Sequence, residues 1–198
     1  MLYLNQLKFP DIPYEHNLDG GGAPPEKSTV AAAGCGPCCL CMMVENLTTG
    51  HLDLMDCLAM SAKLGANRKP GTDLKILGKW VAESYGLDFS VTDDIRILAE
   101  HLRRGGMAVA NSGGDREGYK GIFTHGGHYM AVVALDGEEV CILDPSYFPG
   151  KFDEDGRRGK VKVAEPFIYC SLQVLKKDCE NRSPAFYLFK RKSPVFYQ

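Results

Sequence analysis

The chain has no excess of either charge, no apolar run of membrane-spanning length, no basic-then-apolar leader and no internal repeat. Its 23 Lys and Arg against 25 Asp and Glu leave a net charge of -2, so it offers no electrostatic footprint for nucleic acid or an anionic membrane surface. The densest basic run, Lys190-Arg191-Lys192, directly follows Phe186-Tyr187-Leu188-Phe189 and reads as the solvated end of a strand. A helical span needs about 20 consecutive apolar residues, and no stretch approaches that, which excludes insertion in a membrane by helices. Met1-Leu2-Tyr3-Leu4-Asn5-Gln6 carries no basic region ahead of an apolar one. The expectation is therefore a cytoplasmic protein, with secretion from a longer precursor as the alternative.

A disulfide framework is also missing. Cysteines stand at 35, 38, 39, 41, 57, 141, 170 and 179, but the first four crowd into one short piece of helix, which suits a reduced protein better than a set of bridges. Hydrophobic residues make up 44% of 198, enough to bury one sizeable core, so residues 1–198 are expected to form a single domain. Pro10, Pro13, Gly20-Gly21-Gly22 and Pro24-Pro25 leave little room for a long helix or strand, and residues 1–34 read as an irregular N-terminal arm.

What the chain does have is Ala33-Gly34-Cys35-Gly36-Pro37, opening an apolar stretch. Proline at a first helical turn loses no hydrogen bond, so Pro37 marks a helix start, and Leu40, Met43, Val44 and Leu47 recur at helical spacing until Gly50. A thiol at that start meets unpaired backbone N–H groups and the positive end of the helix dipole, both of which favour the thiolate. Cys35 is thus a candidate nucleophile. Its plainer reading is a buried structural thiol, and that reading is preferred for Cys38, Cys39 and Cys41. Cys35-Gly36-Pro37-Cys38 also spells a thioredoxin-like dithiol, but that fold needs a buried strand before the motif, and Ser28 to Gly34 makes a poor one. Zinc would need a second cysteine pair or spaced histidines, which the chain does not supply, and nothing calls for a cofactor.

Further along, the apolar pattern predicts helices over 53–64, 74–85 and 93–104, the second capped by Gly71-Thr72-Asp73. Met107 to Ala110 reads as a short buried strand, and the glycine-rich 111–127 as a mobile loop bordering a cleft. Two apolar runs, 128–135 and 139–143, flank Asp136-Gly137, a strong hairpin signal. With a three-residue loop Ala134 faces Glu138, and counting back sets His128 opposite Asp144, near enough for the carboxylate to orient the imidazole. A two-residue loop would put the two on opposite faces. Strands are also expected at 160–163 and 185–189, with a helix beginning near Ser171. His125 reads as an exposed loop residue. His16, His51 and His101 have no evident partner.

Asn5-Gln6, Ala33-Gly34-Cys35-Gly36-Pro37, Gly126-Gly127-His128-Tyr129 and Leu143-Asp144-Pro145, in that order, resemble the papain-like cysteine peptidases related to the bacteriocin-leader (double-glycine) processing peptidases. The resemblance spans about residues 3 to 146. It implies an α+β fold in which a cysteine-bearing helix packs on an antiparallel sheet presenting the histidine and aspartate. It further implies Cys35 as nucleophile, His128 as general base, Asp144 as orienter and Gln6 as side-chain donor to the oxyanion. The expected activity is cleavage of a peptide (amide) bond through a thioester, in a peptide or protein substrate. A catalytically weak peptide-binding module is the alternative of another class, and the oligomeric state stays open.

Overall fold

The computed structural model describes residues 1–14, 28–68 and 71–192. A 3-10 turn, Gln6–Lys8, precedes α1 (Val30–Ala33), α2 (Cys35–Leu47) and α3 (Leu54–Lys63). The short pair β1 (Asn67–Arg68) and β2 (Gly71–Thr72) leads into α4 (Leu74–Ser84), β3 (Leu87–Thr92), α5 (Ile95–Arg103) and β4 (Met107–Ser112). Then come the hairpin β5 (His128–Asp136) and β6 (Glu139–Leu143), β7 (Lys162–Ala164), β8 (Phe167–Ser171), α6 (Leu172–Cys179) and β9 (Phe186–Arg191).

Seven strands form one antiparallel sheet in the order β3-β9-β4-β5-β6-β8-β7. Side chains alternate across a strand, so each central strand feeds two cores. Val109, Ala131, Leu143 and Phe189 face one core with α2, α3 and α4, while Ala110, Met130, Val132 and Ile142 face the other with α5 and α6. Burial on both faces is why 128–135 reads as a nearly unbroken apolar run. Among the described residues no helix is long and apolar enough to cross a membrane.

The helices start where their caps are. Asp53, Asp73, Asp94 and Ser171 each accept a hydrogen bond from a backbone N–H in the first turn of α3, α4, α5 and α6. Two expectations change. The hairpin loop has two residues, Asp136 pairing with Glu139, and Gly137 takes a φ of 56° at its first position. The glycine-rich segment, expected to move, is fastened by buried Asp178, whose carboxylate accepts from Ser112 Oγ at 2.5 Å, Tyr119 hydroxyl at 3.0 Å and Ile122 N–H at 2.6 Å. The N-terminal arm contains helical turns and is stitched to the domain: Tyr14, itself buried, bonds Ser61 and Thr72 at 2.7 Å. Gly20 to Pro25 and His16 lie outside the described residues, so the irregular reading of that stretch stands as an expectation. β3 and β8 have no counterpart in the sequence reading.

Candidate active site

Cys35 is the first residue of α2 and is partly exposed, whereas Cys38, Cys39 and Cys41 are fully buried in the core. Its two glycine neighbours are needed for close approach. A Cβ on Gly34 would meet Val30 Cγ1 and the Val30 carbonyl at 2.6 Å, and one on Gly36 would meet Thr72 Cβ at 2.9 Å. Thus α2 starts hard against Val30 of α1 and against β2. As the first helical residue, Cys35 has no intrahelical acceptor for its own N–H. The segment before it is the helix α1, not the strand a thioredoxin-like motif requires, and all eight cysteines are unpaired.

His128 opens β5, and its Nε2 lies 2.7 Å from Asp144 Oδ1, just past the end of β6. The two are brought together, though not by the expected register. The two-residue loop shifts the pairing, and a bulge between Val132 and Ala134 shifts it again, so that Ala131 faces Leu143. One further step along that register would set Met130 across from Asp144. His128 is two residues from Met130 and shares its parity, so it meets the carboxylate on a diagonal rather than directly. With Nε2 committed to Asp144, Nδ1 is the ring nitrogen left for the Cys35 thiol, which lines the same cleft as His128.

Sequence reasoning missed Lys151 and Ser146. Lys151 is 4% exposed, and its Nζ donates to Asp144 Oδ2 at 2.5 Å and to Ser146 Oγ at 2.7 Å. Ser146 in turn donates through its hydroxyl to Asp144 Oδ1 at 3.1 Å and through its backbone N–H at 2.8 Å. Asp144 is fully buried, and these donors are what let a carboxylate remain charged there. No periodicity betrays them; only the position of Ser146 one residue past Asp144-Pro145 hints at a turn.

Gln6 is 4% exposed and sits between the two halves of the site. Its backbone N–H donates to the Pro145 carbonyl and its side-chain Nε2 to the Ala31 carbonyl, each at 2.7 Å. An amide nitrogen has two hydrogens, so one remains beyond the bond to Ala31, while Oε1 is buried without a partner. The arm is held to the same loop by Tyr3, whose hydroxyl donates to the Asp144 carbonyl at 2.8 Å, and by Asn5, which donates to the Tyr147 carbonyl at 2.7 Å.

Electrostatics follow from this packing. Burial pushes the Cys35 thiol up, but the hydrogen bond and charge of His128, with the N–H groups of Tyr129 and Gly36, outweigh it and bring the thiol below its ordinary value. Burial opposes the imidazolium too, yet the charge and hydrogen bond of Asp144, with Cys35, raise His128 to about 9. Asp144 is pushed up by burial and pulled further down by His128 and Lys151, so it stays well below the usual carboxylate range. Acidic thiol and basic imidazole favour a thiolate–imidazolium pair.

Cys35 and His128 line a cleft of about 250 Å³ with Thr72, Asn111, Tyr129 and Arg182. Asn111 and Gly127, at the two ends of the glycine-rich segment, form part of its wall. The other described histidines take structural bonds: His101 Nε2 contacts the Phe189 carbonyl at 2.9 Å, His51 contacts Glu45, and exposed His125 lies 2.9 Å from Asp115.

A helix carrying the cysteine, packed on an antiparallel sheet whose strand ends hold the histidine and aspartate, is the α+β fold of papain-like cysteine peptidases of the C39 type. Two of the solved structures that match the chain illustrate it. One is a putative C39-like peptidase from Bacillus anthracis, 13% identical, matched over 98% of this chain and 96% of that one with a TM-score of 0.59. The other is the peptidase domain of Streptococcus ComA, a bi-functional ABC transporter involved in quorum sensing, 12% identical over 80% of this chain and 91% of that one with a TM-score of 0.51. No family model matches the sequence, and no curated protein matches it.

Proposed function

We propose that the protein is a cysteine peptidase that cleaves a peptide bond through a thioester. The observation that carries this is a His128 imidazole hydrogen-bonded to buried Asp144 and lining one cleft with Cys35, whose thiol the His128 charge helps to hold below its ordinary value. The fold shared with C39 peptidase domains supports it, as does the partial exposure of this one thiol in a helix otherwise lined with buried ones.

In this reading Cys35 Sγ bonds to the scissile carbonyl carbon, and the carbonyl electron pair moves onto oxygen. The backbone N–H of Cys35 and the second Nε2 hydrogen of Gln6 donate to that oxyanion. His128 then gives its proton to the departing amine as the C–N bond breaks, leaving the acyl group on sulfur. Water, losing a proton to His128, attacks the thioester; the acid departs and the thiolate–imidazolium pair returns. Asp144 holds the ring in place throughout and stays ionised.

Incubation with a mass-coded peptide library that includes Gly-Gly sequences tests this. Mass spectrometry should find products with the native chain and none with Cys35→Ala or His128→Ala, both folded by circular dichroism. Iodoacetamide should modify Cys35 ahead of the other cysteines. Turnover that survives in Cys35→Ala refutes the mechanism. Peptides retained uncut beside an unreactive Cys35 identify a binding module instead.

A further inference from the structure

Arg182 follows α6 and lines the cleft with Cys35 and His128. Its Nε is buried without a hydrogen-bond partner, and its guanidinium makes no hydrogen bond or ion pair with any described residue. A planar fork of donors left this way in a partly buried wall is matched to an absent acceptor, since an unsatisfied buried donor costs free energy and a bidentate oxyanion satisfies it. The guanidinium stands against the neighbouring backbone: a Cβ on Gly127, next to His128, would lie 2.6 Å from Arg182 Nη2. The charge of the wall defines the acceptor. Asp73 and Arg68, 4.0 Å apart, offset one another, and the His128 imidazolium and Lys151 ammonium together offset the Cys35 thiolate and Asp144. One positive charge remains, with Asp73 nearby to repel a dianion, and this fits a carboxylate better than a phosphate.

We propose that Arg182 is a carboxylate-binding residue of this cleft, so that the peptide it accepts carries a carboxylate beside the bond presented to Cys35. The carboxylate is either an Asp or Glu side chain or the peptide's own C-terminal group. This rests on reading the cleft as a peptide site.

Two measurements test it separately from that reading. The first is the rate at which Cys35 is alkylated by iodoacetate relative to iodoacetamide, a ratio in which the thiolate fraction cancels. Loss of one adjacent positive charge in Arg182→Gln should lower it by about tenfold, while Arg182→Lys keeps most of it. The second needs no reactive thiol: Cys35→Ser is titrated by ligand-detected NMR with acetyl-Gly-Gly-Glu-Gly-amide against its Gln counterpart, and with acetyl-Gly-Gly-Gly as free acid against its amide. One acid should bind at least about tenfold tighter than its neutral twin, and adding Arg182→Gln should abolish the difference. Preference for the Glu peptide assigns a side-chain carboxylate; preference for the free acid assigns a chain terminus. An alkylation ratio unchanged in Arg182→Gln, or no preference for either acid, overturns the proposal. A Cys35 slow towards iodoacetamide defeats the peptidase reading alone, and the titration then decides the carboxylate site.

Discussion

Replacing Lys151 by Met should make the protein less stable while moving the alkaline limit of the site upward. Lys151 Nζ is 2.5 Å from Asp144 Oδ2, and the two residues are 4% and 0% exposed. Removing one partner of a buried pair strands the other charge, which costs about 3–5 kcal/mol. Here Asp144 keeps its bonds from His128 at 2.7 Å and Ser146 at 2.8 Å, so the lower end, about 3 kcal/mol, is expected. For a chain of 198 residues that is a fall of about 6–12 °C in Tm. The effect on His128 has the opposite sense. A positive charge is taken from its neighbourhood, so the imidazolium becomes easier to keep and its value rises beyond about 9. Urea unfolding at neutral pH reads the first change, and the pH profile of Cys35 alkylation reads the second. Asp144→Asn and the double variant complete a cycle in which the two losses sum to more than the double costs, by at least about 1 kcal/mol. A Lys151→Met protein as stable as the native one, with no coupling to Asp144→Asn, would show that the pair does not hold the carboxylate in place.

Four further outcomes follow from the same geometry. Iodoacetamide should modify Cys35 at pH 6, where a thiol at 9.0 is only about one part in a thousand ionised, and activity should fall as pH rises through about 9 with loss of the His128 proton; a single ionisation at the ordinary thiol value would refute the pair. Because the folded value of His128 is raised, its contribution to stability is full below 6.5 and is lost as pH climbs through about 9. That of Asp144, whose value is depressed, is present above 3.8 and lost as pH falls below it; guanidinium titrations across pH check both signs. Gln6→Ala should lower kcat by about 10²–10³-fold with little change in KM if its amide serves the oxyanion, and a loss of only a few-fold would leave it a structural link between Ala31 and Pro145. Gly34→Ala, which drives a Cβ to 2.6 Å from the Val30 carbonyl, should cost about 1–3 kcal/mol of stability in urea and slow Cys35 alkylation, whereas an unchanged midpoint would mean that α1 gives way freely.

Local chemistry was legible. Asp73 caps α4 because a short side-chain oxygen reaches the next turn, Pro37 sits in the first turn of α2, and 139–143 is a strand flanked by a turn. Each depends on residues a few positions apart, and each was read from the chain. The edge strand β3 was not, since only Leu87 is buried and its partner, β9, lies a hundred residues later in the chain. The hairpin was located correctly and counted wrongly: a bulge at Val133 depends on how β5 fits its neighbours, which no turn dipeptide encodes.

At the site the division is the same. The sequence by itself determined which residue types were on hand, a helix-start thiol between glycines, a strand-end histidine, an aspartate before a proline, because those features are set by neighbouring residues. Only the folded chain decided that Lys151 would seat the aspartate, that Gly127 would make room for Arg182, and that Gln6 would reach both Ala31 and Pro145. Those contacts join segments whose approach is governed by packing two helical layers onto one sheet, and packing of that range leaves no period or spacing along the chain to read.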